Sequence, residues 1–141
     1  MYLSKVRFIP WGRTLTTKDN FLGKQKTKSC KTRPVVVVDN YNENLAVVPL
    51  SSKKGENRTE LKGYQNKKTK QKTYYKHYLE IEDNEGRPIR VNEKFRENHK
   101  NMDVPYNKVM EIKNTIFNSS KQKQRNRKLY DKFKHKKNDW D

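Results

Sequence analysis

Apolar residues along this chain are bunched. The densest bunch is Lys31–Lys54, KTRPVVVVDNYNENLAVVPLSSKK, where two apolar runs flank a polar centre. Val35–Val38 shows no alternation, which suits a strand covered on both faces. Asp39–Asn44 is rich in turn formers, so the chain is expected to return antiparallel through Leu45–Leu50. Pro34 has no amide to donate and belongs at a strand's beginning. That sets Arg33 at the strand mouth. The returning strand ends at the same mouth, so Ser51 and Ser52 are expected to approach Arg33.

Elsewhere the signal is thinner. Val6, Phe8 and Trp11 give partial alternation, so Tyr2–Trp11 reads as a first strand, and polar Thr14–Lys31 reads as a long loop. Lys53–Lys76 has nine Lys/Arg against two acids and reads as a basic loop. Thr73–Ile81 alternates as a strand, with Tyr75, His77, Leu79 and Ile81 on one face. A turn at Asp83–Gly86 leads to a strand over Arg87–Val91. Beyond Pro105, Val109, Ile112 and Ile116 recur at helical spacing. Lys113–Lys137 holds ten Lys/Arg and one acid, with Leu129, Tyr130 and Phe133 as a short amphipathic patch. The expected class is mainly β with a C-terminal helix (α+β). A small, strongly curved antiparallel β-barrel of about five strands with long basic loops hides strand edges in so small a core. Residues 1–117, including basic loop 53–76, read as the barrel domain, and residues 118–141 as a basic C-terminal helix or tail.

Composition narrows the partners. Of 141 residues, 30% are hydrophobic and 35% charged, and the net charge is +18. Such a field gathers polyanions, and neutralised phosphates release condensed counterions. Nucleic acid is the expected ligand, and anionic membrane is the rival. No run approaches the ~18 apolar residues of a spanning helix, the start MYLSKVRFIPW lacks a secretory h-region, and Cys30 is alone. A cytoplasmic setting without stable membrane association is expected. No zinc spacing, phosphate-binding loop or His-Glu-x-x-His occurs. The carboxylates are scattered, so a two-metal nuclease is not expected. No metal or cofactor is called for.

RNA offers chemistry that needs no metal, because its own 2′-OH lies beside the phosphorus. The protein must hold the backbone in line, stabilise charge on the phosphorane and move protons. A planar guanidinium and a hydroxyl aimed at the non-bridging oxygens answer much of that. Arg33, Ser51 and Ser52 are the candidate catalytic residues. Lys31, Lys53, Lys54, Arg58, Lys67, Lys68, Tyr74 and Lys76 are the candidate RNA-binding residues, basic positions interleaved with tyrosines as a single-strand groove needs. Blander readings stand beside these. Arg33 is then a solvated cation, Ser51 and Ser52 merely end a strand, and His77 is a packed, hydrogen-bonded histidine.

The stretch TRPVVVVDNYNENLAVVPLSSKK resembles the core of MazF/PemK-type toxin endoribonucleases, with related Kid and CcdB-like folds. There an Arg-Pro pair opens a long strand and a Thr or Ser ends the next. The resemblance implies an SH3-like barrel with a terminal helix, and metal-independent cleavage of single-stranded RNA to 2′,3′-cyclic phosphate and 5′-OH ends. It matches Arg33 to the family's catalytic Arg and Ser51 to its catalytic Thr/Ser. It also implies a homodimer and a cognate antitoxin, commonly an acidic peptide. The Ser4–Lys5–Val6 start departs from the family's Gly-Asp-Ile/Val. Related barrel toxins neutralised by an RNA end a strand in Pro-Leu-Thr/Ser-Ser-x-Lys. Lys53 or Lys54 would stand for their active-site Lys. A non-catalytic, ribosome-associated RNA-binding barrel is the alternative from another class.

Overall fold

A computed structural model describes residues 9–17, 33–41, 44–65, 70–82, 91–92 and 103–135. Seven strands form one antiparallel sheet: β1 (Thr14–Thr17), β2 (Pro34–Tyr41), β3 (Asn44–Ser51), β4 (Arg58–Gln65), β5 (Lys72–Lys76), β6 (Glu80–Glu82) and β7 (Val91–Asn92). The order across it is β4-β5-β3-β2-β1-β7, and β6 joins the same edge of β3 as β5. Helix α1 (Tyr106–Asn114) runs into a π turn (Thr115–Ser119), and α2 (Lys123–His135) follows. Among the described residues, no helix is long and apolar enough to cross a membrane.

The hairpin β2–β3 is the spine, and it is buried on both faces as the unbroken Val run anticipates. Val36, Val38, Ala46, Val48 and Leu50 face the helices and pack with Leu61, Tyr75, Leu79, Val109, Ile112, Ile116 and Phe133. Val35, Val37, Leu45 and Val47 make a second cluster on the other face with Ile9 and Leu15. A bulge lies between Val37 and Asp39, where the register with β3 slips by one residue. Bulges re-aim side chains, and this one directs Asp39 to the helix side. There its carboxylate accepts a hydrogen bond from the Tyr130 hydroxyl and lies 3.4 Å from Lys113 Nζ and 3.6 Å from Lys134 Nζ. Lys113 also stands 3.9 Å over the Trp11 ring. A buried carboxylate without cations would be prohibitively costly; here it ties both helices to β2.

The expected strand Thr73–Ile81 is interrupted. β5 pairs with β3 through Leu50–Tyr75, β6 through Val47–Glu80, and His77–Leu79 bulge out between them. The cause lies partly in Pro49. Val37 exchanges hydrogen bonds with Gly12 and Arg13, so by alternation Val36 and Val48 bond each other and Pro49 turns its missing amide toward β5–β6. The interruption is satisfied by Asn126 of α2, which is fully buried. Its Oδ1 accepts from Leu79 N–H (3.1 Å), and its Nδ2 donates to the carbonyls of Ile116 (2.9 Å) and His77 (3.3 Å).

At the start of the described chain, Gly12 is the crossing point. Its N–H donates to Val37 O and its carbonyl accepts from Val104 N, both at 2.7 Å. Its φ is +91°, and a Cβ there would sit 2.1 Å from Val104 O. Glycine is therefore required on two counts. Far across the sheet, Tyr64 of β4 shares a hydrogen bond with Thr14 of β1, although three strands separate the two in the sheet order. The sheet curls on itself, yet among the described residues no strand pairing closes it. The outer strand β4 is itself irregular. Its register with β5 shifts between Glu60 and Gln65, Gly63 has φ +83° and Lys62 is exposed.

Several sequence expectations are corrected. Thr14–Thr17, read as loop, is β1: its threonines are β-branched and buried, but their hydroxyls hid the strand. Within the expected loop 53–76, Arg58–Gln65 is a strand, held to the core by Leu61 and paired with Lys72–Lys76, which opens the stretch expected as strand from Thr73. Among the described residues seven strands therefore stand, where about five were expected for the chain. Pro105, which as a proline is expected in the first helical turn, instead precedes it as the N-cap. The amphipathic patch of Leu129, Tyr130 and Phe133 is turned onto the core. The Tyr2–Trp11 strand lies mostly outside the described residues, as do 18–32 of the expected loop and the start of Arg87–Val91.

Candidate nucleic-acid interface

The sheet gathers several candidate residues at one end of the face of Val35 and Val37, which among the described residues is the face turned away from α1 and α2. Val35 faces Pro49; carried two residues further, that register sets Arg33 opposite Ser51. Residues directly opposite on antiparallel strands point to the same face, which is the face of Val35 and Val37. Ser51 in turn faces Tyr74, Tyr74 faces Glu60, and Lys76 faces Arg58. One row across β2, β3, β5 and β4 thus presents Arg33, Ser51, Tyr74 and Glu60, with Lys76 and Arg58 one step along.

Each member is positioned by identifiable bonds. The Arg33 backbone is held twice by Thr17: its N–H donates to Thr17 Oγ1 (3.0 Å), and its carbonyl accepts from Thr17 N–H (2.8 Å). The guanidinium is left exposed. Ser51 Oγ accepts from Lys53 N–H at 3.0 Å, a local turn that Ser often makes. Arg58 Nη1 donates to the same Oγ at 3.3 Å and to the Lys53 carbonyl at 2.9 Å. The turn into β4 is completed by Asn57, whose φ of 61° suits Asn and whose carbonyl accepts from His77 N–H.

The electrostatics are one-sided. Partial burial, and then the fields of Arg58 and Arg33, push the Lys76 ammonium below the usual lysine value. Both guanidinium groups therefore act on Lys76. Among the described residues no carboxylate forms an ion pair with Arg33, Arg58 or Lys76. A guanidinium bonded to Ser51, and a lysine under the fields of that group and Arg33, are costly in the free protein and favourable once a phosphate arrives. Glu60 shares this face but lies two strands from Ser51, about 10 Å at ordinary strand spacing.

Of the remaining candidates, Ser52, Lys53 and Lys54 are exposed in the turn after β3. Lys31, Lys67 and Lys68 lie outside the described residues. His77 is on the opposite face. Its Nε2 lies 2.7 Å from Thr59 Oγ1, its ring is 5.9 Å from Tyr75, and burial lowers its pKa. Sequence reasoning missed Thr17 as the residue that fixes Arg33, since its segment read as loop. It also missed the bond from Arg58 to Ser51. The alternation of Arg58 and Glu60 with Thr59 and Leu61 was the available signal. Among the described residues no group of three or more His, Cys, Asp or Glu stands together. No family model, curated protein or solved structure matches the chain.

Proposed function

We propose that the protein is a metal-independent endoribonuclease of the toxin type, acting on single-stranded RNA in the cytoplasm from an SH3-like barrel. The observation that carries this reading is the common face of Arg33 and Ser51, with Arg58 bonded to Ser51 and Lys76 under the field of both arginines. The curl that brings Tyr64 to Thr14 supports the barrel, and the Arg-Pro and Pro-Leu-Ser-Ser segments support the MazF/PemK likeness.

In this reading a phosphodiester lies over Ser51. The 2′-OH gives its proton to solvent water and attacks phosphorus, the bond to the 5′-oxygen breaks, and the products are a 2′,3′-cyclic phosphate and a 5′-OH. Arg33 and Arg58 receive the charge that develops on the non-bridging oxygens, and Ser51 orients one of them. Lys76 holds its proton less tightly than a free lysine and supplies it to the departing 5′-oxygen. Tyr74 offers a ring beside Ser51 on which a base stacks. Lys53 and Lys54 follow the backbone. A homodimer, restrained by an acidic peptide or an RNA antitoxin, is the expected assembly.

One observation favours a second reading, RNA binding without cleavage. Ser51 Oγ is already engaged by Lys53 N–H and Arg58, and the carboxylate of Glu60 stands two strands off. Incubation of the purified protein with single-stranded RNA in EDTA, with analysis of product ends, separates the two. Cleavage giving cyclic-phosphate ends is expected, falling ~10²–10³-fold in Arg33→Ala with RNA affinity largely kept. Intact RNA with the parent protein, and weaker binding by the variant, would establish the binder.

A further inference from the structure

Helix α2 carries a second cationic surface, on the other side of β2–β3 from Arg33. Arg125, Lys128 and Lys132 recur within it at intervals of three and four residues, which places them in one line along the helix, and Lys121 stands in the turn that leads into it. At 1.5 Å per residue the helical part of the line is about 10 Å long. Lys121, Lys128 and Lys132 are exposed and form no hydrogen bond or ion pair among the described residues. Arg125 is different. Its guanidinium lies 3.7 Å from the centre of the Tyr78 ring, and its Nη1 donates to the Leu79 carbonyl (2.9 Å) and Asn126 Oδ1 (3.1 Å). Tyr78 is 37% exposed. One ring face is covered by Arg125, and the ring sits at the bulge beside the lysine line, on a backbone locked by Asn126.

We propose that this face of α2, with Tyr78, is a second binding surface for single-stranded RNA. Lys121, Lys128 and Lys132 would follow the phosphates, and a base would stack on the Tyr78 ring stiffened by Arg125. The alternative polyanion, an acidic membrane, requires apolar side chains on the outward face for insertion. Here Leu129, Tyr130 and Phe133 are turned onto the core. The inference goes beyond cleavage and does not depend on it. RNA long enough to reach both faces is held at two places; RNA of a few nucleotides is held at the Arg33 face alone.

The test is fluorescence anisotropy with labelled 2′-O-methyl RNA, which lacks the attacking hydroxyl, so turnover does not enter. The full chain is compared with Lys121→Glu/Lys128→Glu/Lys132→Glu and with Tyr78→Ala, each checked by thermal melting. For a 20-nucleotide strand, the triple variant should lose at least tenfold in affinity at low salt. Its log K against log salt slope should shrink by about two, from ~0.7 per lost phosphate contact. Tyr78→Ala should lose about fivefold or more. Binding of a five-nucleotide strand should change less than twofold. Unchanged slope and affinity in a folded triple variant would overturn the proposal. So would loss of co-sedimentation with phosphatidylserine vesicles while RNA binding persists, which would make this a membrane contact. Should the Glu variant melt early, Lys→Gln at the same positions carries the same expectation at reduced size.

Discussion

Asn126 is the residue on which the interrupted strand depends, and replacing it with Ala gives a worked expectation. The amide is fully buried and serves Leu79 N–H, the Ile116 carbonyl and the His77 carbonyl. After truncation His77 O still accepts from Ser120 Oγ at 3.4 Å. Leu79 N–H and Ile116 O lose this partner. An orphaned buried group costs ~1–3 kcal/mol, so two such groups cost about 4 kcal/mol, a large share of the ~5–15 kcal/mol typical of a domain. At ~3 °C per kcal/mol for a chain of this size, Tm should fall by about 12 °C. Urea unfolding should show a lower midpoint with an unchanged slope, and amide exchange at Leu79 should accelerate most. Asn126→Asp keeps the shape but points a second acceptor at two carbonyls, so it should do no better. A loss under ~1 kcal/mol, with Leu79 still protected, would refute the view that this side chain replaces the missing ladder.

Three other expectations concern separate joints. Gly12→Ala forces a Cβ toward Val104 O at positive φ, so it should destabilise by ~3 kcal/mol or more, read by thermal melting. Asp39→Asn leaves the Lys113 ammonium buried beside an uncharged amide and should cost ~3–5 kcal/mol; Asp39→Asn/Lys113→Met should recover most of it, as urea midpoints would show. Lys76→Met removes a cation whose pKa is depressed first by burial and then by Arg58 and Arg33. It should raise Tm slightly, by ~0.5 kcal/mol equivalent after solvent screening, while weakening RNA binding. The sign follows from linkage. A lysine with a lowered folded pKa binds protons more weakly than in the unfolded chain, so the parent gains stability as pH rises toward 10.5 and the variant gains less.

The sequence was most legible where local chemistry and packing agree. The Val run, the polar turn and the entry at Pro34 set out the β2–β3 hairpin and placed Arg33 and Ser51 at one end. Helical spacing from Val109 to Ile116 located α1. Where a strand is buried by threonines, as in β1, or anchored mainly by Leu61, as in β4, hydropathy alternation is too weak to register. The break at His77–Leu79 was illegible because its cause is distant: an amideless Pro49 on one side and Asn126 on the other. Asp39 read as a turn former, the usual role of Asp after an apolar run, but the bulge at Val38 converts it into the anchor for α1 and α2. Cationic neighbours of Ser51 were recognised as basic residues, yet their convergence depends on the pairing of β4 with β5, which composition does not specify.

The irregular outer strand has a consequence for self-association. An unpaired row of amides and carbonyls invites an extended chain to add itself, and repetition of that step builds fibrils. Here Gly63, at φ +83°, kinks β4 beside the exposed Lys62, so an incoming strand meets a crooked template and a repelling charge. A chain concentrated on a polyanion is crowded against its own copies, and this crooked border keeps that crowding from becoming polymerisation.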